Sequence, residues 1–157
     1  MQHPYYQSIL LIERLHRQFL ELVKAELERR GIHDINNVQS LILYNISNDD
    51  LTVGELTARG YYLGSNVSYN VKKMVENGYL VQERSLHDRR SVRVRLSEKG
   101  LALRDKLREM FERQVEGLNS ANISETSITE LNRSLIDMER YLVGRLGYAI
   151  GGAPSAA

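Results

Sequence analysis

Apolar positions recur at helical intervals across residues 7–30. Ile12, Leu15, Phe19 and Leu22, continued by Glu26, fall at steps of three and four, and Ile9, Leu11, Leu20, Val23 and Leu27 widen the stripe well beyond one face. A helix of that kind has two surfaces to cover. Gly31 is placed to end it as the residue just past the cap. Asn36-Asn37-Val38-Gln39 predicts the next helix start, with Asn36 as N-cap and Gln39 at the third helical position. Leu41, Ile42, Leu43, Tyr44 and Ile46 then form a mostly buried run, and "SNDD" at 47–50 ends it.

Thr52-Val53-Gly54-Glu55 has the form of a capping box, and Leu51 and Leu56 stand where a hydrophobic staple requires them. A short helix is expected over 53–59, then a turn at "GYYLGS", then another helix ending near Asn77. Leu63, Val67, Val71 and Met74 share one face of that helix, and Gly78 closes it. Leu80-Val81 begins an extended segment. Val92, Val94 and Leu96 alternate with Arg93 and Arg95, a period-two strand with one apolar and one basic face. The two strands imply a hairpin whose 85–91 loop is long enough to project. Ser97 caps a further helix with Glu98 in its first turn, and Leu103, Leu107, Met110, Phe111, Val115 and Leu118 keep helical spacing. Ser127-Ile128-Thr129-Glu130 predicts a second capping box. The helix after it carries Ile128, Leu131, Leu135, Met138 and Leu142 as a helix–helix seam. No repeat of about 20–50 residues interrupts this order.

Composition narrows the chemistry. Hydrophobic residues make up 42% of the 157, enough for a core, and there is no cysteine. Disulfides, thiolate metal sites and cysteine nucleophiles are thereby excluded. No run of about 18 apolar residues is present to span a membrane, and the N-terminus lacks the pattern of a signal peptide, so the expected location is the cytoplasm. The tail 149–157 is small-residue and expected to be flexible. His3, His16, His33 and His87 have no metal-ligand spacing, and no nucleophile elbow, phosphate-cradling loop or carboxylate pair stands out. Neither metal, nor cofactor, nor enzymatic activity is expected.

Charge is almost balanced overall, 21 Lys+Arg against 20 Asp+Glu, but not locally. Residues 59–95 hold eight basic side chains (Arg59, Lys72, Lys73, Arg84, Arg89, Arg90, Arg93, Arg95) against Glu76, Glu83 and Asp88, a net +5. Such polarisation suits a polyanion. A capped short helix, a tight turn, a second helix and a basic hairpin describe a winged helix-turn-helix, whose second helix can enter the major groove of DNA. Ser65, Asn66, Ser68, Tyr69, Asn70, Lys72 and Lys73 occupy its non-apolar faces, with no acid before Glu76. Arginines at the hairpin tip suit a narrow minor groove, and Asp88 suits an intramolecular role, holding an arginine's planar fork in one orientation.

The stretch "LTVGELTARG…VSYNVKKMVENGYLVQERSLHDRRSVRVRLSEKG" resembles the MarR family of bacterial transcription factors closely over residues 51–100. Asp88 and Arg90 match the family's Asp-x-Arg wing tip. The resemblance implies that Arg90 reaches the minor groove, that Asp88 orients it, and that Ser65, Asn66, Ser68 and Tyr69 contact bases and phosphates. Lys72 and Lys73 of the helix, and Arg84 and Arg89 of the hairpin, are expected phosphate neighbours. The turn departs from the family's Leu-Gly-Leu-Ser, because Gly60-Tyr61-Tyr62-Leu63 is followed here by Gly64-Ser65. The start of the recognition helix is thereby open by one or two residues. This version of the segment is similar to a proteobacterial subgroup linked to control of cell-wall L,D-transpeptidases.

The implied architecture is mainly α with a small β-hairpin wing. Residues 1–34 and 98–148 would form a helical dimerisation region and 35–97 a winged helix-turn-helix lobe. The family implies a homodimer on a palindromic operator and a small, often aromatic effector, for which Phe19, Leu22, Tyr44 and Phe111 are candidate pocket residues. The rival reading is a winged-helix module that binds protein. DNA binding through Lys and Arg weakens steeply with salt, which separates the two.

Overall fold

Proline at the first helical position starts helix α1 (Pro4–Arg29), and the His3 side chain accepts the Tyr5 amide hydrogen at 3.1 Å. The start lies three residues before residue 7 because Pro4 carries no amide hydrogen to lose and has its φ preset for a helix. The computed structural model describes residues 1–60, 64–84, 86 and 91–151, without the side chains at 60, 64, 65 and 148–151. Helix α1 ends in a Schellman motif: Ile32 N–H donates to Leu27 O at 2.9 Å and Gly31 N–H to Glu28 O at 3.0 Å. Gly31 takes φ +70°, where a side chain would be strained.

The capping box of α2 (Asn37–Ile46) is complete. Gln39 N–H donates to Asn36 Oδ1 at 2.8 Å, and Asn36 N–H to Gln39 Oε1 at 3.1 Å. That of α3 (Val53–Gly60) is formed by Glu55 N–H to Thr52 Oγ1 at 3.1 Å and Thr52 N–H to Glu55 Oε2 at 3.4 Å. Helix α4 (Gly64–Glu76) ends as α1 does, with Tyr79 N–H on Met74 O and Gly78 at φ +83°.

Strands β2 (Leu80–Arg84) and β3 (Val92–Leu96) pair antiparallel, Leu80 opposite Leu96 and Arg84 opposite Val92. A two-residue strand β1 (Leu51–Thr52), absent from the sequence reading, pairs with the other edge of β3 and makes the order β1-β3-β2. Ser97 caps α5 (Glu98–Ser120): its Oγ accepts Gly100 N–H at 3.1 Å and donates to Gly78 O at 2.5 Å. Gly100 is required there, since a Cβ would lie 2.3 Å from Tyr79 O.

The predicted capping box at Ser127 is corrected by the structure. Helix α6 (Glu125–Gly151) begins earlier, capped by Ser124, whose Oγ accepts Ser127 N–H at 3.1 Å. The cause lies upstream. Asn122 at φ +58° closes α5 in a third Schellman turn, with Ile123 N–H on Leu118 O, so Ser124 is the first residue free to cap. Ser127 falls in the first turn and pairs its hydroxyl with that of Ser124 at 2.9 Å. Helix α6 continues to Gly151, past the start of the expected tail, and 152–157 lie outside the described residues.

The chain divides into two compact units, 1–111 and 112–157. In the first, Ile42, Leu43, Ile46, Leu56, Val67, Met74, Val94 and Leu107 are buried at the centre, contributed by α2, α3, α4, β3 and α5. Glu26, which continues the apolar stripe of α1, is buried and clamped by Arg29 and Arg30 at 2.7 and 2.8 Å; Arg30 also reaches Glu109 at 2.9 Å. The fully buried residues of α1, Val23, Glu26 and Leu27, all lie in its C-terminal half. Tyr5, Tyr6, Leu10, Leu11, Ile12 and Leu15 are exposed. In the second unit no described residue is buried. Of the expected seam, Ile128, Leu135 and Met138 are half-buried and Leu131 and Leu142 exposed.

Candidate nucleic-acid interface

Helix α4 is two-sided. Val67, Val71 and Met74 are buried on one side. Asn66, Ser68, Tyr69 and Lys72 are exposed on the other, with Tyr69 at 60% of its full surface. Lys73 is half-buried; its Nζ lies 5.9 Å from the Tyr69 ring centre and 3.4 Å from Glu76, the first acid of the helix. The described helix runs from Gly64, and residues 61–63, which hold the rest of the turn, lie outside the described residues. Ser65 is within the helix, but its side chain lies outside the described residues, as do Leu63, Asp88, Arg89 and Arg90.

Asn70 behaves differently from its neighbours. The sequence puts it among the outer polar positions, yet it is half-buried and its Oδ1 accepts from Gln39 Nε2 at 3.1 Å. Gln39 is itself buried, with its Oε1 already held by Asn36 N–H. One amide therefore joins the N-terminus of α2 to the middle of α4.

The basic face of the sheet is not free charge. Arg93 Nε lies 3.1 Å from Asp50 Oδ1, and its Nη2 donates to Asp50 O at 2.6 Å. Arg95 meets Glu83 at 3.0 Å, and Arg59 meets Asp49 at 2.6 Å. Arg104 of α5 is hydrogen-bonded to Asn48. The "SNDD" turn thus uses three successive side chains to hold arginines from three elements. Asp49 and Asp50 lie outside the 59–95 sequence window yet pair with Arg59 and Arg93 within it, so the net charge of that window overstates the free charge of this surface. Lys72 and Arg84 have no ion pair among the described residues and remain as available cations.

A second polar joint holds the C-terminal end of α4. Tyr79 OH donates to Asp34 Oδ1 at 2.5 Å, and Lys99 Nζ meets Asp34 Oδ2 at 2.5 Å. Lys99 also donates to Asn77 O at 2.8 Å and lies 4.3 Å over the Tyr79 ring. Asn77 Nδ2 donates to Asp34 O at 2.9 Å. Burial alone would raise the Asp34 carboxyl, but the bonds from Lys99 and Tyr79 outweigh it and hold it below its ordinary value. The Tyr79 phenol is pushed well above its ordinary range by burial and by the carboxylate it donates to. Asp34, adjacent to His33, is thus a structural keystone; among the described residues no group of three acids or histidines is arranged to hold a metal.

Three of the four candidate pocket residues come together. The Phe111 ring lies 5.4 Å from Phe19 and 4.8 Å from Tyr44, and all three pack against the core. Leu22, three residues after Phe19 in α1, is 54% exposed. Two cavities open beside α1, one of about 410 Å³ bordered by Arg14, Arg17 and Asn37, the other of about 370 Å³ bordered by Lys24, Ile32 and Asn36. Neither is lined by the aromatic cluster.

Comparison with known proteins fits this geometry. Residues 33–91 match the sequence model of the MarR family. The exopolysaccharide II synthesis transcriptional activator ExpG of Rhizobium meliloti (strain 1021) is 42% identical over 105 residues, covering 67% of this chain and 54% of the relative. The chain therefore spans about half that relative's length. The structure superimposes on S. aureus MepR in its DNA complex with a TM-score of 0.72 at 20% identity, over 85% of this chain and 96% of the other. S. aureus MarR in complex with salicylate and kanamycin gives 0.71 at 23% identity, over 89% and 91%. Among the described residues no helix is long and apolar enough to cross a membrane. Residues 33–91 thus carry the sequence pattern of the MarR family, and the chain has the winged-helix fold that MarR-type proteins share.

Proposed function

We propose that the chain is a transcription regulator that binds double-stranded DNA as a homodimer, with α4 as the recognition helix. The observation that carries this reading is the outer face of α4. Asn66, Ser68, Tyr69 and Lys72 are exposed over a buried apolar backing, and no carboxylate precedes Glu76. Donors and cations on a rigid helix suit base edges and phosphates, and an acid there would oppose both. Ser65 and Lys73 are assigned to the same contacts. Arg90, oriented by Asp88, is assigned to the minor groove, with Arg89 beside a phosphate. Support comes from relatives: one is named a transcriptional activator, and one solved neighbour holds DNA.

Residues 1–34 and 98–148 are assigned to dimerisation and 35–97 to DNA. The exposed apolar side chains of α1 and α6 support a second copy as their cover. A two-fold dimer would set its recognition helices one DNA turn apart, ~34 Å, and read a palindrome. A small aromatic effector near Phe19, Leu22, Tyr44 and Phe111 would act by preferring one spacing of those helices. The salicylate complex of a solved neighbour is the support for that step. Control of cell-wall or stress genes is the corresponding proposal for its targets.

The test is duplex binding against salt, with random duplex and genome-selected fragments. Affinity should fall steeply as salt rises, by a power of about 0.9 for each phosphate contact. No affinity for any duplex at low salt would overturn the reading.

A further inference from the structure

We infer that Gln39 fixes the polarity of the Asn70 amide, making Asn70 a donor-only contact for hydrogen-bond acceptors on duplex DNA. The inference rests on the proposed function and adds a contact residue and a positioning residue to it. Side-chain amides can usually be turned end for end, so their polarity is open. Here a backbone group decides it. The Asn36 N–H is a donor and nothing else, and it points at Gln39 at 3.1 Å. Gln39 must answer with Oε1, which leaves Nε2 at its other end. Nε2 donates to Asn70 at 3.1 Å, so Asn70 must answer with Oδ1. The Asn70 amide then has only Nδ2 left to offer.

That Nδ2 is accessible. No hydrogen bond of Asn70 other than the one with Gln39 is present among the described residues, and no buried side-chain nitrogen or oxygen is left without a partner. A partnerless Nδ2 must therefore reach the surface. Asn70 itself follows Tyr69 and stands one helical turn from Asn66 and Lys73, at the margin of the proposed DNA-facing side of α4. Phosphate oxygens and purine N7 and O6 are acceptors, so a pre-oriented NH₂ suits them and an amide oxygen would oppose them. Gln39 is a positioning residue. It touches no DNA, but it determines which end of Asn70 does.

The test is Gln39→Glu. Glutamate at the third helical position still accepts the Asn36 N–H, so the capping box is kept. Its second oxygen now faces Asn70, which must turn to donate Nδ2 and show Oδ1 outward. Duplex affinity should fall by about tenfold, the scale of one lost contact. The same change in an Asn70→Ala background should cost much less, because no amide is left to turn. Asn70→Asp, which still accepts from Gln39 but has no donor, should bind more weakly than Asn70→Ala. The aspartate variant keeps the proposal testable if the glutamate variant folds poorly, and thermal unfolding by circular dichroism identifies that case.

An equal loss on random and operator duplex assigns Nδ2 to phosphate; a loss confined to operator assigns it to a base edge. Asn70→Ala binding as tightly as the unmodified protein would overturn the inference, as would an equal cost of Gln39→Glu in both backgrounds. If the unmodified protein binds no duplex at low salt, the proposed function itself fails, which is a different result from either of these.

Discussion

Helix α4 and strand β3 both carry cations over an apolar backing, and they treat that charge in opposite ways. On β3, Arg93 and Arg95 are each held by an acid, Asp50 and Glu83, within 3.1 Å. On α4, Lys73 meets Glu76 at 3.4 Å, but Lys72 is exposed with no ion pair among the described residues. The two faces look alike in sequence and differ in what they have left to give a partner. Basic residues counted along a chain overstate a polyanion surface when neighbouring elements supply the acids. On β3 the arginines join the sheet to the 48–50 turn and to β2, and on α4 the polar groups are left outward. The proposed DNA surface is therefore the helix face, with the sheet as its frame.

The largest effect is expected from breaking the backing that both faces share. Leu56 is fully buried in α3, which packs against both α4 and β3. Leu56→Ala should lower unfolding stability by about 2–5 kcal/mol, measured by chemical denaturation, and disturb both faces together. Next comes a charge placed on the free face alone. Tyr69→Asp puts a carboxylate where Tyr69 is 60% exposed and should reduce duplex affinity on the order of 100-fold with little change in stability. A smaller effect should come from releasing a committed arginine. Asp50→Asn leaves Arg93 its bond to the backbone oxygen of residue 50 but removes the charge that neutralises it, and should raise affinity for random duplex by about two- to fivefold, with a slightly steeper salt dependence.

The smallest concerns the frame. The Asp34 carboxyl sits below its ordinary value, so the charged form contributes stability above the ordinary pKa and that contribution disappears as pH falls through the lowered one. The stability gap between the unmodified protein and Asp34→Asn should therefore shrink on acidification below about pH 4, near the ordinary carboxylate range. A constant gap down to pH 2 would remove Asp34 from that role.

What the sequence made legible was local. Asn36 with Gln39, Thr52 with Glu55, Ser97, Gly31 and Gly78 act within a few residues, and each stands in the structure as its spacing implied. The two-sidedness of α4 was legible for the same reason, since a period of 3.6 sorts its residues. Strand β1 has two residues and no period to read. The cap of α6 was assigned to Ser127 and falls three residues earlier, on Ser124, because the left-handed Asn122 upstream ends α5 there. The acids on Arg59 and Arg93 lie across elements, and Tyr79 reaches Asp34 over 45 residues, distances at which spacing says nothing. Gln39 shows both cases in one side chain. Its bond to Asn36 was readable from the capping pattern, while its bond to Asn70, 31 residues away, needed the packed lobe.

The most direct test of the contrast between α4 and β3 is the slope of duplex affinity against salt for Lys72→Ala and Arg93→Ala beside the unmodified protein. Loss of one phosphate contact should reduce that slope by about 0.9 for Lys72→Ala. Arg93→Ala should leave it unchanged and cost at most ~1 kcal/mol in folding stability, as an exposed ion pair does. A slope that falls for Arg93→Ala and holds for Lys72→Ala would contradict the account.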